Sequence, residues 1–193
     1  MQKFVPATTL ALALLAASPL HAAATAPYYA GFATGLSKST LENSAGERYS
    51  SKKHPLPVKL YGGVTLNEHI ALEAGYSGSA GKHAFDKGLF GTSTEPRLAS
   101  QAIYLAAKGT VAVSESIDLH AKLGVARNHF ELTDAGAANR DIKGTKPMLG
   151  IGAAYKLSER AAVTLEFESY GTVREQQTSL RQQRLQAGLR FGF

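Results

Sequence analysis

Ionisable residues recur at every second position of short apolar stretches in this chain, and that spacing limits the chemistry open to them. Lys59 lies between Val58 and Leu60, Glu73 between Leu72 and Ala74, Lys122 between Ala121 and Leu123, and Glu166 between Leu165 and Phe167. Lys108, Asp118, His120, Glu168, Arg184 and Arg190 occupy equivalent positions. A period of two puts all of them on one face of β-strands, opposite a face without charge. Acids and bases gathered on an enclosed face have one stable arrangement, mutual pairing, because a buried ion is costly without a partner. Five bases (Lys59, Lys108, Lys122, Arg184, Arg190) stand against four acids (Glu73, Asp118, Glu166, Glu168). That near balance favours a plug of ion pairs over a pore selective for one sign.

Other chemistries fit less well. Ester hydrolysis needs a Ser or Thr nucleophile beside a His held by an acid. Lipid A deacylases carry a His-x-Ser pair at a strand end, and none of the six His residues here is followed two positions later by Ser. His120 reads as a hydrogen-bonded interior residue, whereas His54, His83 and His129 fall in or near loops, too scattered for a metal site. The absence of Cys removes thiolate ligands and Cys nucleophiles. No catalytic residue, cofactor or metal is expected. The glycines of Gly31-Phe-Ala-Thr-Gly35 and Gly150-Ile-Gly152 lie in strands, where they relieve crowding.

The elements that must position these side chains begin after a targeting segment. Lys3 supplies a positive start, Leu10 to Ala17 an apolar core and Ala22 to Ala24 small residues for cleavage. This reads as a cleaved signal peptide over residues 1–24, since the apolar run is well short of the roughly 20 residues a spanning helix needs. The remainder, 25–193, fits one domain. Eight alternating segments follow, joined in turn by short turns and long loops. Their apolar faces are Tyr28 to Leu36, Val58 to Leu66, Ile70 to Tyr76, Ile103 to Val113, Ile117 to Val125, Leu149 to Tyr155, Ala161 to Phe167 and, on a closing strand that runs from about Leu180, Leu185 to Phe193. Asn67-Glu68, Ser114-Glu115-Ser116 and Ser158-Glu159-Arg160 make tight turns. The stretches 37–56, 77–98, 128–143 and 171–179 read as loops.

Period two alone leaves open which face points inward. The apolar faces mix small residues and aromatics that would pack a small soluble core poorly, and the connections alternate short and long as in outer-membrane barrels. The final strand alternates Leu185, Ala187, Leu189, Phe191 and Phe193 with polar or small residues and stops on the aromatic. A strand of that kind at a chain end suits a barrel that closes by pairing its first and last strands, because hydrocarbon cannot satisfy an open edge. The expected fold is all-β: an eight-stranded antiparallel up-and-down transmembrane β-barrel with short periplasmic turns and longer extracellular loops.

Several segments are similar to the OmpA-type transmembrane domain. The hairpin Lys59-Leu-Tyr-Gly-Gly-Val-Thr-Leu-Asn-Glu-His-Ile-Ala-Leu-Glu-Ala-Gly-Tyr76 resembles that family's second and third strands, and Tyr29 to Leu36 its first. Leu105 to Gly109 and Ile117 to Gly124 resemble the fourth and fifth, and Leu165 to Phe167 and Leu189 to Gly192 the seventh and eighth. The resemblance spans nearly the whole mature chain through short motifs in the same order. It implies a lumen closed by interior acids and bases, with Glu73, Lys108, Lys122 and Glu166 on matching positions. Ala154 and Thr164 stand where a further acid and base occur in the family, which leaves Glu168 or Arg190 to substitute. Larger members continue into a peptidoglycan-binding domain, and that anchoring function is not expected here. In size the chain is similar to small surface barrels that include adhesins and serum-resistance factors.

The formal charge of +6 falls to +5 without Lys3, and the segments 38–57, 77–98, 127–146 and 170–183 carry +2, +1, +1 and +1 of it. Basic groups there would meet phosphorylated lipopolysaccharide within the roughly 8 Å reach of charge at physiological salt. Arg48, Lys52, Lys53, Arg97, Arg140 and Arg174 are the candidate contacts, and solvated loop residues are the equal alternative. Phe85, Leu89 and Phe90 offer a small apolar contact to a host or bacterial partner, or pack on neighbouring loops. Leu189, Phe191 and Phe193 are the candidate signal to the outer-membrane assembly machinery. Nothing interleaves basic and aromatic residues as single-strand nucleic-acid binders do. The reading is a Gram-negative outer-membrane protein with a structural and surface-interaction role; a narrow channel for small solutes comes second, a lipid A-modifying enzyme third.

Overall fold

The computed structural model describes residues 27–42, 48–50, 56–80, 83–84, 97–133, 140–175 and 178–193. Residues 1–24, expected to be a signal peptide, lie outside them. Ten strands are present among the described residues: β1 (Tyr28–Glu42), β2 (Arg48–Ser50), β3 (Leu56–Thr65), β4 (Ile70–Ala80), β5 (His83–Ala84), β6 (Arg97–Ala112), β7 (Ile117–Thr133), β8 (Arg140–Lys156), β9 (Ala161–Glu175) and β10 (Thr178–Gly192). Eight of them pair antiparallel in the order β10-β9-β8-β7-β6-β4-β3-β1, and β1 pairs with β10 to close the cylinder. The closure runs from Tyr29↔Gly192 to Glu42↔Ser179 without interruption. Phe193 donates its backbone N–H to the Tyr28 carbonyl at 3.0 Å, so the chain end is built into the seam. The short strands β2 and β5 extend two hairpins at the loop end.

The alternation in sequence maps onto the wall of this cylinder. Outward positions from Ile117 to Val125 on β7, Ile103 to Val111 on β6 and Tyr155 to Pro147 on β8 carry no charge. Leu72, Leu123 and Phe191 are 42%, 64% and 46% exposed, while Glu73 and Lys122 are 0% and 2% exposed. An exterior of exposed Leu, Ile, Val and Phe around an interior of Lys, Glu and Arg inverts a soluble barrel and matches one bathed in hydrocarbon. Tyr28, Tyr155, Phe191 and Phe193 stand outward near the short-turn end, the level at which aromatics mark a membrane interface.

The three short turns share a device that their sequences state. Asn67 Oδ1 accepts the N–H groups of His69 and Ile70, Ser114 Oγ those of Ser116 and Ile117, and Ser158 Oγ those of Arg160 and Ala161. Each is an Asn or Ser followed by Glu, and its side chain satisfies backbone donors that a two-strand reversal would leave unpaired.

At the opposite end the strands outlast the apolar pattern. The stretches expected as loops hold strand residues to Glu42, from Arg97, to Thr133, from Arg140 and to Glu175. Backbone pairing continues beyond the membrane because water imposes no apolar alternation on the side chains there, so hydropathy marks only the part in lipid. On β9, Tyr170 and Gly171 together face Gln182, a bulge in which Gly171 takes a φ of +74°. The bulge shifts parity, so that Tyr170 and Val173 are both buried.

Candidate functional site

The inward face is large and polar, and an eight-stranded cylinder leaves just enough room for side chains to fill it. Glycines make that possible. Gly63 faces Tyr29 across the β1–β3 pair, Gly31 faces Tyr61, and Gly75 faces Tyr104 across β4–β6. A Cβ on Gly63 or Gly31 would run into the Tyr29 or Tyr61 ring. Each glycine therefore leaves the space in which an inward tyrosine lies flat against the wall, from which the Tyr29 and Tyr104 hydroxyls reach Glu73.

At mid-height these elements bring five charged groups together. The Lys59 ammonium donates to Glu166 at 2.5 Å and to Glu168 at 2.6 Å. The Lys122 ammonium donates to Glu73 at 2.6 Å and to Glu166 at 2.7 Å. Remaining acceptor positions are filled from the wall: Tyr29 and Tyr104 donate to Glu73 at 3.0 and 2.7 Å, and Tyr170 donates to Glu168 at 2.7 Å. His120 Nε2 lies 2.9 Å from Glu166. Lys59 also stands over the Tyr61 ring at 4.7 Å. All five charged groups are 2% exposed or less. Such a network is stable where single ions would not be, because each carboxylate is held by several donors in a medium of low dielectric.

The expected lumen residues do not all share this centre. Lys108 is buried but 3.9 Å from Glu73, without a hydrogen-bond acceptor, and lies 5.1 Å from the Tyr29 ring centre. Arg190 stands over the same tyrosine ring at 5.8 Å. Glu168 joins the central cluster through Lys59. Lys59, which spacing put on the inward face but the resemblance did not include in the interior cluster, takes a central place, and the four tyrosines are an omission. Their signal was present: Tyr29, Tyr61, Tyr104 and Tyr170 share the parity of the charged face. Toward the loop end Arg184 hydrogen-bonds Ser77, lies 5.2 Å from the Tyr170 ring and shares the Ser100 hydroxyl with Gln182. Toward the turn end Lys156 pairs with Asp118 at 2.8 Å.

The basic residues assigned to loops fall differently. Arg48, Arg97, Arg140 and Arg174 belong to strands β2, β6, β8 and β9, for the reason given for the hairpin extensions. Lys52 and Lys53 lie outside the described residues, as do Phe85, Leu89 and Phe90. His129 is likewise a strand residue, on the outer wall. With Glu131 and Asp141 it forms the one group among the described residues whose ligand atoms lie within metal-binding range, all within 4.8 Å of one another. The register makes this possible, since Glu131 faces Asp141 and His129 is two positions along the same face.

The sequence profile described as outer membrane protein beta-barrel domain matches residues 7–193. The chain belongs to this family. A search of curated proteins found no significant sequence match. Among solved structures, the fold is similar to Neisserial surface protein A (NspA), with 16% identity, 86% of this chain and 97% of that chain covered, and a TM-score of 0.58. It is similar to outer membrane protein OprG from Pseudomonas aeruginosa, with 15% identity, 88% and 97% coverage and a TM-score of 0.55. It is also similar to Ail, the attachment invasion locus protein of Yersinia pestis, solved in complex with the heparin analogue sucrose octasulfate, with 14% identity, 85% and 99% coverage and a TM-score of 0.53. At these identities the likeness is one of fold. Family membership places the protein in the outer membrane as an OmpA-like barrel.

Proposed function

We propose that this protein is a closed surface barrel: its lumen conducts no solute, and its work is done where the loop end meets anionic lipid or extracellular ligands. One observation carries the reading. Lys59, Glu73, Lys122, Glu166 and Glu168 fill the mid-lumen at contact distances of 2.5–2.7 Å, and tyrosines occupy the space around them. Opening a path would separate buried ions, and breaking a buried pair costs about 3–5 kcal/mol. The bore thus acts as a rigid core that holds the outer rim in place. On this reading Leu189, Phe191 and Phe193 serve assembly, and no step of catalysis is assigned to any residue.

Planar-bilayer recording from the refolded barrel tests closure. The expected trace is flat, with no sustained steps of current. Steady open-channel steps at modest voltage would contradict it and favour a narrow solute channel.

A further inference from the structure

The outer wall carries a notch where the apolar belt ends at the loop side. It is a depression of about 240 Å³ running across β4, β6, β7 and β8. Its lower edge is apolar, formed by Tyr76 and Ile103, which are paired neighbours in the sheet and 36% and 61% exposed. Its upper edge is basic. Arg127 faces outward one step above Val125, and His129 and Lys143 face each other across β7–β8 in the next row. Arg127 and Lys143 are therefore diagonal neighbours on one face, roughly 7–8 Å apart at the backbone.

Several observations say what belongs there. Among the described residues neither Arg127 nor Lys143 forms an ion pair, so two cations stand side by side without an acid of their own. The His129 Nε2 atom is shielded from solvent and has no hydrogen-bond partner, with the Asp141 carboxylate 3.7 Å away. Tyr76 leans toward the loop end, its hydroxyl over Gly78. A tyrosine with its ring in the apolar belt and its hydroxyl above it marks the level of lipid headgroups. An occupant must therefore be anionic at the height of Arg127 and apolar below it. Glu131 and Asp141, one row higher, repel an anion that sits further out and so limit its height.

From this arrangement we propose that the notch is a headgroup site for a phosphorylated lipid of the outer leaflet, with a phosphate between Arg127 and Lys143 and an acyl chain along Ile103 and Leu105. The proposal rests on the reading of this barrel as one that meets anionic lipid, and it moves the contact from the loops to the wall. The signal for it in sequence was the first charge after each apolar face: Arg127 follows Val125, and Lys143 precedes the face that starts at Leu149.

Native mass spectrometry of the refolded barrel, with diphosphoryl lipid A as probe, tests the site. Wild type should retain the probe, and R127Q/K143Q should retain about tenfold less or lower, as loss of two charges near an anionic surface requires. Arg160→Gln, in the short turn at the opposite end of the barrel, should change retention less than about twofold. Lipid A stripped of phosphate should bind wild type as weakly as it binds the variant. Equal retention by wild type and R127Q/K143Q would overturn the site while leaving lipid contact elsewhere on the barrel intact. Wild type that retains no probe would overturn both the site and the lipid-contacting role. Equal binding of the dephosphorylated lipid, or a dimer mass lost in R127Q/K143Q, would reassign the notch to an acyl chain or a second copy. Heat-modifiable gel mobility reports folding of each variant, and the single Lys143→Gln, with an expected loss of severalfold, supplies the comparison if the double variant does not fold.

Discussion

The Lys59 ammonium on β3 lies 2.6 Å from the Glu168 carboxylate on β9, joining two walls of the barrel whose residues are 109 positions apart in sequence. The same ammonium reaches Glu166, so one lysine holds two carboxylates that are neighbours on one strand face. Without it Lys122, 2.7 Å from Glu166 but 3.5 Å from Glu168, would be left to offset their repulsion in a medium that screens poorly. The relationship explains why the bore can be both polar and closed.

Replacing Lys59 by Met should therefore cost more than its lost contacts, because it leaves Glu166 short of one donor and Glu168 with Tyr170 as its remaining close donor. We expect about 3–5 kcal/mol of destabilisation in reversible denaturant unfolding from lipid vesicles. The double variant K59M/E168Q should recover part of that loss. A single variant as stable as wild type would mean that the pair contributes nothing to holding the walls together.

Adjacent residues on β4 test which face meets lipid. Leu72→Arg places a charge on the outer belt and should cost about 2–4 kcal/mol if Leu72 sits near mid-membrane. Ala71→Glu points into the bore opposite Lys108, its register partner, whose ammonium lacks an acceptor. That variant should stay close to wild type in the same unfolding assay. Equal damage from both substitutions would count against the assignment of faces.

Two glycines make a sharper comparison of space. A methyl group at Gly63 would strike the Tyr29 ring and come within 2.7 Å of the Leu72 carbonyl, whereas at Gly109 it would meet nothing within 4 Å. Gly63→Ala is expected to cost about 1–3 kcal/mol through overpacking. Gly109→Ala should lie within about 0.5 kcal/mol of wild type. Thermal shifts of the two folded proteins would show the difference, and matching shifts would contradict the packing account.

The last residue separates closure from recognition. Phe193→Ala retains the backbone hydrogen bonds with Tyr28, so folded stability in vitro should change by less than about 1 kcal/mol. If the aromatic addresses the assembly machinery, the amount of folded barrel in the outer-membrane fraction of cells should fall severalfold. Undiminished assembly would leave Phe193 with a role in the seam alone.

Much of this architecture was legible because hydrocarbon imposes a rule that strands cannot evade. The parity that sets Leu72 against Glu73 and Leu123 against Lys122 gave the two faces, and the seam followed from the alternating end at Phe193. What lay beyond the belt was not legible, since residues such as Arg97 and Arg140 continue strands in water, where no apolar alternation is required. Pairing inside the bore was also hidden. Parity says that Lys59 and Glu168 both point inward, but their contact depends on shear and register summed over intervening strands. The Tyr170–Gly171 bulge adds a parity shift that no local pattern announced. His129 and Asp141 met for a similar reason, through a register that aligns Glu131 with Asp141.

Solid-state NMR of the barrel in bilayers, with lysine labelled by ¹⁵N at Nζ and glutamate by ¹³C at Cδ, tests the closed ion-pair core most directly. Strong through-space coupling should connect the Lys59 and Lys122 ammoniums to glutamate carboxylates, vanishing for Lys59 in K59M. Lysine signals that couple to no carboxylate, with exchange to bulk water throughout, would contradict a lumen sealed by these residues.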